Sequence, residues 1–535
     1  MLLVSIWVSC KDDEIASLNL SRQFQPGAFD ITEGETSATI SWDPSLFTIP
    51  GEAEYTLELS KDDDFATVEV SVTTSEVEVT FLDTEIDIRV DYYARVKAKG
   101  TDGTNDSNWL MSEAFQITGE IFILPIREFD VLVTEALIRW ELEEVLTKIT
   151  LTPQGGAPFD VAVSGAEFNA GQKLVGGLTQ NTSYTAEVFN ADGVSKGFVT
   201  FTTKLSYEGF NIIDLTGITG KPKILRDTLQ DIPAGSVVWL KRGEIYTIDN
   251  TDPTAERLLS KTVTIISAPE ANPQFAKIHL TTNFNFVASS VLDSVVFKDI
   301  IFKGMRAAGA SFDNDYVINS NVAATIGKIR LDNCKISRLR GTVRLQASGL
   351  GTQVANYYIN NCVIDSIREF AIVMASSASA FANVKITNST FYKCRRYVNH
   401  GVAGNNSMVI ENCTFNELPS GGVEGAEANY FIDFNAANSA TPVIITNCIL
   451  GKTWNEGAGD FVRGVRAGAG TTYNVTNTYT LSDFISTNAP FLIPGVSTYT
   501  GSSTSVFTSP ATGDFTIKDG SFPGATNAGD PRWRQ

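Results

Sequence analysis

The chain has 535 residues, of which 43% are hydrophobic and 19% charged, and its formal net charge is −20. This composition is typical of a folded protein of several domains and excludes an intrinsically disordered chain. Apolar runs of about 18 residues or more are missing from the sequence, which excludes a membrane-spanning helix. A negative charge of this size, if spread evenly, would also argue against a polyanionic partner.

The charge is divided unevenly along the chain. Residues 1–205 carry 13 basic and 34 acidic side chains, whereas residues 206–535 carry 28 basic and 27 acidic ones. Within the second part, residues 298–396 hold 14 basic and 6 acidic side chains. The chain therefore combines an acidic N-terminal arm with a near-neutral body that has one basic zone. The net charge argues against an acidic ligand only for the arm.

Residues 1–10, MLLVSIWVSC, form an apolar run that ends in a small residue and a cysteine. This pattern is typical of a lipoprotein signal peptide, after whose cleavage Cys10 becomes the lipidated first residue. The usual basic residues are missing before the run, and the run is short. The alternative is an N-terminal strand with a chance cysteine. Residues 11–24 are predicted to be a polar tether.

Two consecutive segments, residues 25–118 and 119–205, contain short strands in which apolar and polar residues alternate. Trp42 and Trp140 end corresponding strands of the two segments. Alternation at this spacing predicts half-buried strands of β-sandwiches. Residues 177–188, GLTQNTSYTAEV, resemble the tyrosine corner and following strand of fibronectin type III domains. We therefore predict two fibronectin type III-like domains in tandem, with their aromatic residues in the cores.

The character of the sequence changes after residue 206. Residues 225–229, LRDTL, and residues 235–246, GSVVWLKRGEIY, resemble the opening coil of pectate-lyase-like parallel β-helices. The resemblance implies a short helix that covers the open core of the first coil.

A repeated unit with the pattern apolar–polar–Asn–small–polar–apolar then fills the C-terminal half. Its anchor residue recurs every 24 to 35 positions, at Asp299, Asn333, Asn361, Asn388, Asn412, Asn447 and Asn477. Asn tolerates the left-handed backbone conformation and can donate a hydrogen bond to the Asn of the next coil. Strand-rich repeats of this length predict a solenoid, with the interspersed cysteines as buried small residues rather than disulfides.

Four successive units place an arginine seven residues beyond the anchor, at Arg306, Arg340, Arg368 and Arg395. Neighbouring coils lie about 4.8 Å apart, so these residues would form a ladder about 14 Å long. Stacked guanidinium groups repel one another unless an acid or a ligand lies between them, and they match carboxylates and sulfates well. The predicted glycan-binding residues are Arg306, Arg340, Arg368, Arg395, Lys303, Arg344 and Arg396. The alternative is that each arginine pairs with a carboxylate of the protein or caps a turn.

The order of the parts resembles surface lipoproteins of Sus-type glycan-utilisation loci, which join fibronectin-like domains to a pectate-lyase-like β-helix of undefined function. The acidic residues after Cys10 resemble the export signal of those lipoproteins. The resemblance implies an all-β chain: two fibronectin type III-like β-sandwiches, then a right-handed parallel β-helix over residues 206–535 with an N-terminal cap and C-terminal capping strands. It also implies lipid anchoring in the outer membrane at the cell surface, a Sus-type uptake complex as partner, and no nucleic-acid partner.

Two functions remain open at this point. The first is non-catalytic capture of an acidic polysaccharide, such as a pectin- or glycosaminoglycan-type chain. The second is a polysaccharide lyase, which needs a base, a group that neutralises the uronate carboxylate and an acid. Candidates for these roles are Arg340, Arg368, Lys393 and His400, with Asp313 and Asp315 as oxygen ligands for Ca²⁺.

The known motifs of related enzymes weigh against catalysis. The sequence matches neither the calcium-site nor the catalytic-arginine motif of pectate lyases. It also lacks the aspartate cluster of polygalacturonase-like hydrolases, which need paired carboxylates. Ca²⁺ would serve only the lyase, whereas capture needs no cofactor. A purely structural adhesin is a third alternative, which applies if every arginine of the ladder is salt-bridged.

Overall fold

The computed structural model describes residues 21–535 except 47, 49–50, 52, 102, 252–257, 306–314, 403–404, 424–428 and 487–490. Three predicted site residues, Cys10, Arg306 and Asp313, lie outside the described residues. The chain forms two compact units, Met1–Ser206 and Tyr207–Gln535. In the described parts of the chain, every helix is too short or too polar to span a membrane.

The first sandwich has two antiparallel sheets, with the strand orders β1-β2-β5 and β4-β3-β6-β7. Its strands are β1 (Gly27–Glu33), β2 (Ser37–Asp43), β3 (Tyr55–Ser60), β4 (Val70–Thr74), β5 (Glu78–Leu82), β6 (Tyr93–Ala98) and β7 (Leu110–Met111). Every second residue of β2, β3 and β6 faces the core. Trp42 and Tyr55 pack edge to face there, with ring centroids 5.5 Å apart. The arrangement is that of a fibronectin type III-like sandwich, as predicted.

The second sandwich repeats this plan, with the strand orders β10-β9-β12-β13 and β11-β8. Its elements are β8 (Glu135–Arg139), β9 (Leu146–Pro153), β10 (Phe159–Ala162), helix α1 (Gly165–Asn169), β11 (Gln172–Gly176), β12 (Ser183–Asn190) and β13 (Ser195–Thr202). The Tyr184 hydroxyl accepts a hydrogen bond of 2.8 Å from the backbone N–H of Thr179, which is the predicted tyrosine corner. Tyr92 makes the same contact with the N–H of Asp87 in the first sandwich, at 3.2 Å.

Residues 207–535 form a parallel β-solenoid of roughly nine turns with three parallel sheets along its sides. The first sheet runs through β14 (Ile212–Asp214), β15 (Ser236–Leu240), β18 (Val263–Ser267), β22 (Val295–Lys298), β25 (Ala324–Asp332), β28 (Thr352–Asn360), β31 (Ala380–Thr387), β34 (Ser407–Glu411), β37 (Val443–Thr446) and β40 (Tyr473–Thr476), and β21 (Val291–Leu292) pairs with β25. The second sheet runs through β16 (Ile245–Ile248), β19 (Ala276–Leu280), β23 (Ile300–Gly304), β26 (Lys335–Leu339), β29 (Val363–Ile367), β32 (Thr390–Cys394), β35 (Thr414–Asn416), β38 (Ile449–Leu450), β41 (Tyr479–Thr480) and β42 (Ser497–Thr498).

The third sheet is shorter than the other two. It runs through β24 (Tyr316–Ser320), β27 (Gly341–Leu345), β30 (Val373–Ala375), β33 (Val398–His400), β36 (Tyr430–Asp433) and β39 (Arg463–Arg466). A separate pair, β17 (Leu258–Leu259) and β20 (Asn285–Phe286), lies closer to the N-terminal end of the solenoid. Helix α2 (Ile224–Thr228) contacts β16 and buries Leu225 in the solenoid core, as expected of a cap on the first coil.

The anchor residues of all seven units adopt the left-handed conformation, with φ between 44° and 57°. The seven anchors form six pairs in neighbouring coils, and a side-chain hydrogen bond was predicted within each pair. Five of the six pairs have this bond, at 2.7–3.2 Å. The exception is Asn388, which donates to Asn360 at 3.0 Å instead of to Asn361. The five described cysteines, at the predicted core positions, are buried and free of disulfides.

The closing residues lie along the side of the solenoid. They contain helix α3 (Ser503–Val506), β43 (Phe507–Ser509) and β44 (Asp514–Ile517). The buried carboxylate of Asp530 accepts a hydrogen bond of 2.7 Å from the Thr390 hydroxyl of β32. Arg532 donates to the Asn361 side chain at 2.7 Å. The C-terminal segment thus binds coils that lie well before it in the stack.

Candidate functional site

The third sheet carries a column of outward-facing side chains, one from each strand. Parallel pairing places them side by side, and they are Asn319, Arg344, Met374, Asn399, Asp433 and Arg466. The residues on either side of them along the strands, such as Val398 and His400, are buried. With strands about 4.8 Å apart, the column is about 24 Å long. Five of its six side chains are polar and partly exposed, whereas Met374 is 7% exposed, so the column offers polar groups to a ligand on either side of Met374.

At its C-terminal end the column borders a cavity of about 320 Å³. The cavity is lined by Arg396, Val398, Asn399, Asn429, Tyr430, Asp433, Arg463 and Arg466. Three of these side chains are guanidinium groups and one is a carboxylate, so the lining carries a net positive charge. Its polar lining differs from the apolar walls of most small-molecule pockets.

Asp433, Arg466, Tyr430 and Arg463 form a connected group on strands β36 and β39. Arg466 donates two hydrogen bonds of 2.8 Å to the two carboxylate oxygens of Asp433. Arg463 donates to the Tyr430 hydroxyl at 2.9 Å. The Tyr430 ring also lies 4.5 Å from the Arg466 guanidinium and 5.3 Å from that of Arg463, within the range of cation–π attraction. These contacts fix the direction of both arginines.

Arg396, two residues before β33, is also held in place at the cavity. Its Nε donates to the Asn429 side-chain oxygen at 2.9 Å. Asn429 in turn donates to the Ser420 hydroxyl at 2.7 Å and to the Ser420 carbonyl at 3.1 Å. A chain of hydrogen bonds therefore orients Arg396 before any ligand arrives, which reduces the entropy lost on binding.

The predicted arginine ladder lies at the turn that precedes the third sheet. Leu339, Ile367 and Cys394 pair in register on the second sheet, so the arginines that follow them occupy equivalent positions in successive coils. These arginines are Arg340, Arg368 and Arg395. The fourth predicted rung, Arg306, is among the residues that the structure does not describe.

Each described rung of the ladder contacts a carboxylate of the protein. Arg340 lies 2.8 Å from Glu369 of the next coil. Arg368 and Arg395 share a single partner, Glu456, at 2.6 Å and 2.5 Å. The acid expected between stacked guanidinium groups is therefore supplied by the chain itself.

A second group of cationic and aromatic side chains lies near the N-terminal end of the third sheet. The Phe370 ring is 3.9 Å from the Arg344 guanidinium and 4.5 Å from that of Arg340. Arg344 also donates to the Tyr316 hydroxyl at 3.3 Å. The column of the third sheet thus has arginines near both ends, with Met374 and Asn399 between them.

Two predicted lysines lie away from this column. Lys303 is exposed on strand β23 of the second sheet, where it pairs in register with His279 and Ser337. Lys393, at the end of β32, donates to the carbonyl of Ala511 in the C-terminal segment at 3.2 Å. Neither residue shares a surface with Arg344 and Arg396, so the seven predicted glycan-binding residues do not form one site.

The predicted acid, His400, is fully buried. The backbone N–H of Phe381 donates to its Nε2 at 3.0 Å. Burial lowers the pKa of His400 below its usual 6.5, so the ring is neutral at physiological pH. This placement corrects the expectation of a catalytic acid, because a ligand on the solenoid surface cannot reach the ring.

The predicted calcium ligands are only partly described. Asp315 is 2% exposed, and Asp313 lies outside the described residues. Among the residues with assigned positions, no three His, Cys, Asp or Glu side chains come together as metal ligands do.

Sequence reasoning did not find Asn429, Tyr430, Asp433, Glu456, Arg463 or Arg466. One signal was present: pairs of polar or aromatic residues recur three positions apart in successive coils, as Arg396 with Asn399, Tyr430 with Asp433, and Arg463 with Arg466. Coil lengths vary in this region, which hides the equivalence when positions are counted from the anchor asparagines.

Comparison with known proteins gives a family match for part of the solenoid. Residues 408–533 match a family described as a domain of unknown function, DUF5123. A comparison with curated proteins finds no match.

Solved structures with fibronectin domains are also similar to part of the chain. The chicken CNTN1 FN1–FN3 domains are 18% identical, with 34% of this chain and 68% of that chain covered and a TM-score of 0.15. A two-domain fibronectin type III segment of chicken tenascin is 12% identical, with 34% and 99% covered and a TM-score of 0.17.

Proposed function

We propose that the solenoid binds an extended acidic polysaccharide along the third sheet. The observation that carries this proposal is the cavity, whose lining contains three guanidinium groups, those of Arg396, Arg463 and Arg466, and one carboxylate, that of Asp433. Guanidinium groups held in fixed directions match the planar carboxylate of a uronic acid or the oxygens of a sulfate ester. The cavity would hold one such group.

The remaining lining supports a sugar as the ligand. Asn399 and Asn429 can donate and accept hydrogen bonds with hydroxyl groups. The Tyr430 ring is 8% exposed and contacts both Arg463 and Arg466, so it orients these arginines toward a ligand and does not stack on a sugar. A polymer that leaves the cavity along the column would pass over the buried Met374 and then meet Arg344.

The preference for a polymer over a single sugar follows from the length of the column. Arg344 and Arg466 are four strands apart, which is about 19 Å. One monosaccharide cannot contact both, whereas a linear chain can. Binding at several positions raises the overall affinity without strong contacts at any one of them.

The proposal can be tested by affinity electrophoresis of the whole chain. Native gels containing polygalacturonate should slow the protein, whereas gels containing neutral galactan should not. The double variant Arg396→Gln/Arg463→Gln should lose most of this retardation. Arg330→Gln is the matched control, because Arg330 is a half-exposed arginine of the first sheet, paired with Asp332. Equal retardation of all three proteins would contradict the proposal.

The same samples distinguish capture from cleavage. A lyase would release unsaturated uronates, which absorb ultraviolet light, from polygalacturonate. We expect no such release, because Asp433 is the one carboxylate in the described lining of the cavity and is already paired with Arg466. Product release that is lost in the double variant would replace capture by β-elimination as the function.

We also propose that Cys10 carries a lipid that anchors the chain at the cell surface, where it would act with a Sus-type uptake complex. The motif at residues 1–10 supports this proposal. Fatty-acid labelling of cells that produce the protein should label the native chain and leave Cys10→Ser unlabelled. Equal labelling of both proteins would contradict it.

A further inference from the structure

A short loop reaches back over the arginine ladder. Residues 455–460, named here the Glu456 strap, connect β38 to β39. The strap is fixed at both ends, since Gly421 donates to the Trp454 carbonyl at 2.8 Å and Gly422 exchanges two backbone hydrogen bonds with Phe461 at 2.9 and 3.2 Å. Gly459 has a φ of 122° and would place a Cβ 2.3 Å from the Gly422 carbonyl oxygen, so only glycine fits there.

The strap places one carboxylate between two rungs of the ladder. Glu456 Oε1 lies 2.6 Å from Arg368 Nη1, and Glu456 Oε2 lies 2.5 Å from Arg395 Nε. The partners are 88 and 61 residues earlier in the chain, so the strap crosses an intervening coil to reach them. The Glu456 side chain is only 16% exposed, against 28% for Arg368 and 31% for Arg395.

We infer that Arg368 and Arg395 form a carboxylate-binding subsite that the protein fills with its own Glu456. One oxygen for each guanidinium group is the arrangement that a uronate carboxylate or a sulfate ester of a glycan would adopt. The strap therefore masks the subsite until a ligand's anionic group exchanges with Glu456. This inference rests on the proposed function in that the same acidic polysaccharide is the ligand.

The position of the subsite connects it to the cavity. Arg395 and Arg396 are consecutive residues, and while Arg395 contacts Glu456, Arg396 lines the cavity through Asn429. Because a short loop tethers Glu456, its carboxylate competes with a ligand for Arg368 and Arg395 at an effective concentration of about a millimolar or above. A single anion in solution displaces it poorly. An anionic group on a polymer already held at the cavity competes at a comparable local concentration.

Removal of the strap's charge tests this inference in the full chain. Glu456→Gln keeps the size of the side chain and removes its negative charge. We expect calorimetric titration with a galacturonate tetramer to give a Kd about tenfold lower for Glu456→Gln than for the native chain. The triple variant with Arg368→Gln and Arg395→Gln should lose this gain. Glu411→Gln, on strand β34 of the first sheet, is the control for loss of one negative charge.

Inorganic sulfate provides a probe that does not depend on the glycan. Increasing sulfate should raise the Tm of Glu456→Gln by a few degrees more than that of the native chain, and the triple variant should lose this difference. In the native chain, hydrogen exchange of the strap amides should become faster with excess tetramer. This last measurement stands even if Glu456→Gln does not fold.

The outcomes separate the two proposals. If the tetramer binds the native chain and Glu456→Gln equally, and sulfate stabilises them equally, the strap inference is overturned while polysaccharide binding stands. If the tetramer binds neither protein but sulfate stabilises Glu456→Gln through Arg368 and Arg395, the strap inference stands and the proposed polymer is wrong. Slower or unchanged exchange of the strap amides in a saturated complex also overturns the strap inference.

Discussion

Asp433 and Arg466 lie on adjacent coils and are joined by two parallel hydrogen bonds, Nε to Oδ1 and Nη2 to Oδ2, each 2.8 Å long. The hydrogen bond with Asp433 also raises the pKa of Arg466 above its usual value. The pair holds a guanidinium plane in place at the edge of the cavity. The Asp433 carboxylate also places a negative charge in the cavity that is proposed to hold the ligand's own negative group.

Asp433→Asn should therefore strengthen binding of an acidic polysaccharide. Removal of a like charge a few ångströms from the ligand is worth about 1 kcal/mol where water screens the two charges, which lowers the Kd several-fold. Titration with a galacturonate tetramer measures this effect. Asp332→Asn, which removes the partner of Arg330 on the first sheet, is the control. Weaker binding by Asp433→Asn would show that orientation of Arg466 outweighs the repulsion.

Salt should weaken binding of the polymer. The cavity arginines are partly exposed, and attraction between exposed charges is screened over about 10 Å at 0.1 M ionic strength. The logarithm of the Kd for polygalacturonate should rise with that of salt concentration, with a smaller slope for Arg463→Gln. A Kd independent of salt would contradict recognition by charge.

The asparagine ladder should stabilise the solenoid through both its backbone conformation and its side-chain hydrogen bonds. Asn412 has a φ of 55°, donates to Asn388 at 3.2 Å, and accepts from Asn447 at 3.1 Å and from Arg534 at 2.8 Å. We expect Asn412→Ala to lower the free energy of unfolding by about 4–5 kcal/mol, since left-handed strain costs about 1–2 kcal/mol and each of the three lost hydrogen bonds about 1 kcal/mol.

Two further variants separate these contributions in chemical denaturation. Asn412→Gly removes the hydrogen bonds without the left-handed strain and should cost less than Asn412→Ala. Asn435 is exposed and also has a positive φ, 52°, but it is not part of the ladder. Asn435→Ala should therefore cost only the conformational contribution. Equal losses for Asn412→Ala and Asn435→Ala would show that the ladder bonds contribute nothing.

His400 should make the solenoid less stable in acid. Burial lowers its pKa in the folded state, so below the unfolded value of about 6.5 the unfolded chain binds a proton that the folded chain does not. The stability present above that pH is lost as the pH falls through it.

Glutamine at position 400 does not titrate and can accept the hydrogen bond from Phe381. We expect the Tm of His400→Gln to fall less than that of the native chain between about pH 7.5 and pH 5.5. His279→Gln, at a less buried histidine whose pKa is also lowered, should have a smaller effect. Identical pH profiles for the native chain and His400→Gln would contradict this assignment.

Local chemistry explains why much of the fold could be predicted from the sequence. The anchor of each coil is a single residue whose backbone preference and hydrogen-bonding groups determine the bend, so the positions from Asp299 to Asn477 were identifiable without knowledge of the rest. The sandwich strands likewise followed from alternation that reflects burial of one face. The constant spacing of seven residues from the anchors likewise predicted that Arg340, Arg368 and Arg395 lie in register.

The partners of these arginines could not be predicted in the same way. Glu456 reaches Arg368 across 88 residues because the strap folds back over a coil, and no local pattern encodes that path. The cavity depends on loops of unequal length between the sheets, so Tyr430 and Arg463 do not lie at one offset from the anchors. His400 is buried because of its position on β33 of the third sheet. The spacing of the anchors does not determine where that strand begins, so this burial could not be predicted.

A stack of coils in which each touches only its neighbours can lose its outermost coils one at a time. Here Arg532 and Arg534 bind Asn361 and Asn412, which were synthesised 171 and 122 residues earlier. These contacts join the end of the chain to the middle of the stack, so the last coils and the middle ones gain stability together. Residues 532–534 must therefore emerge from the ribosome before this part of the solenoid reaches its final stability, and removal of these residues would weaken coils far from the cut.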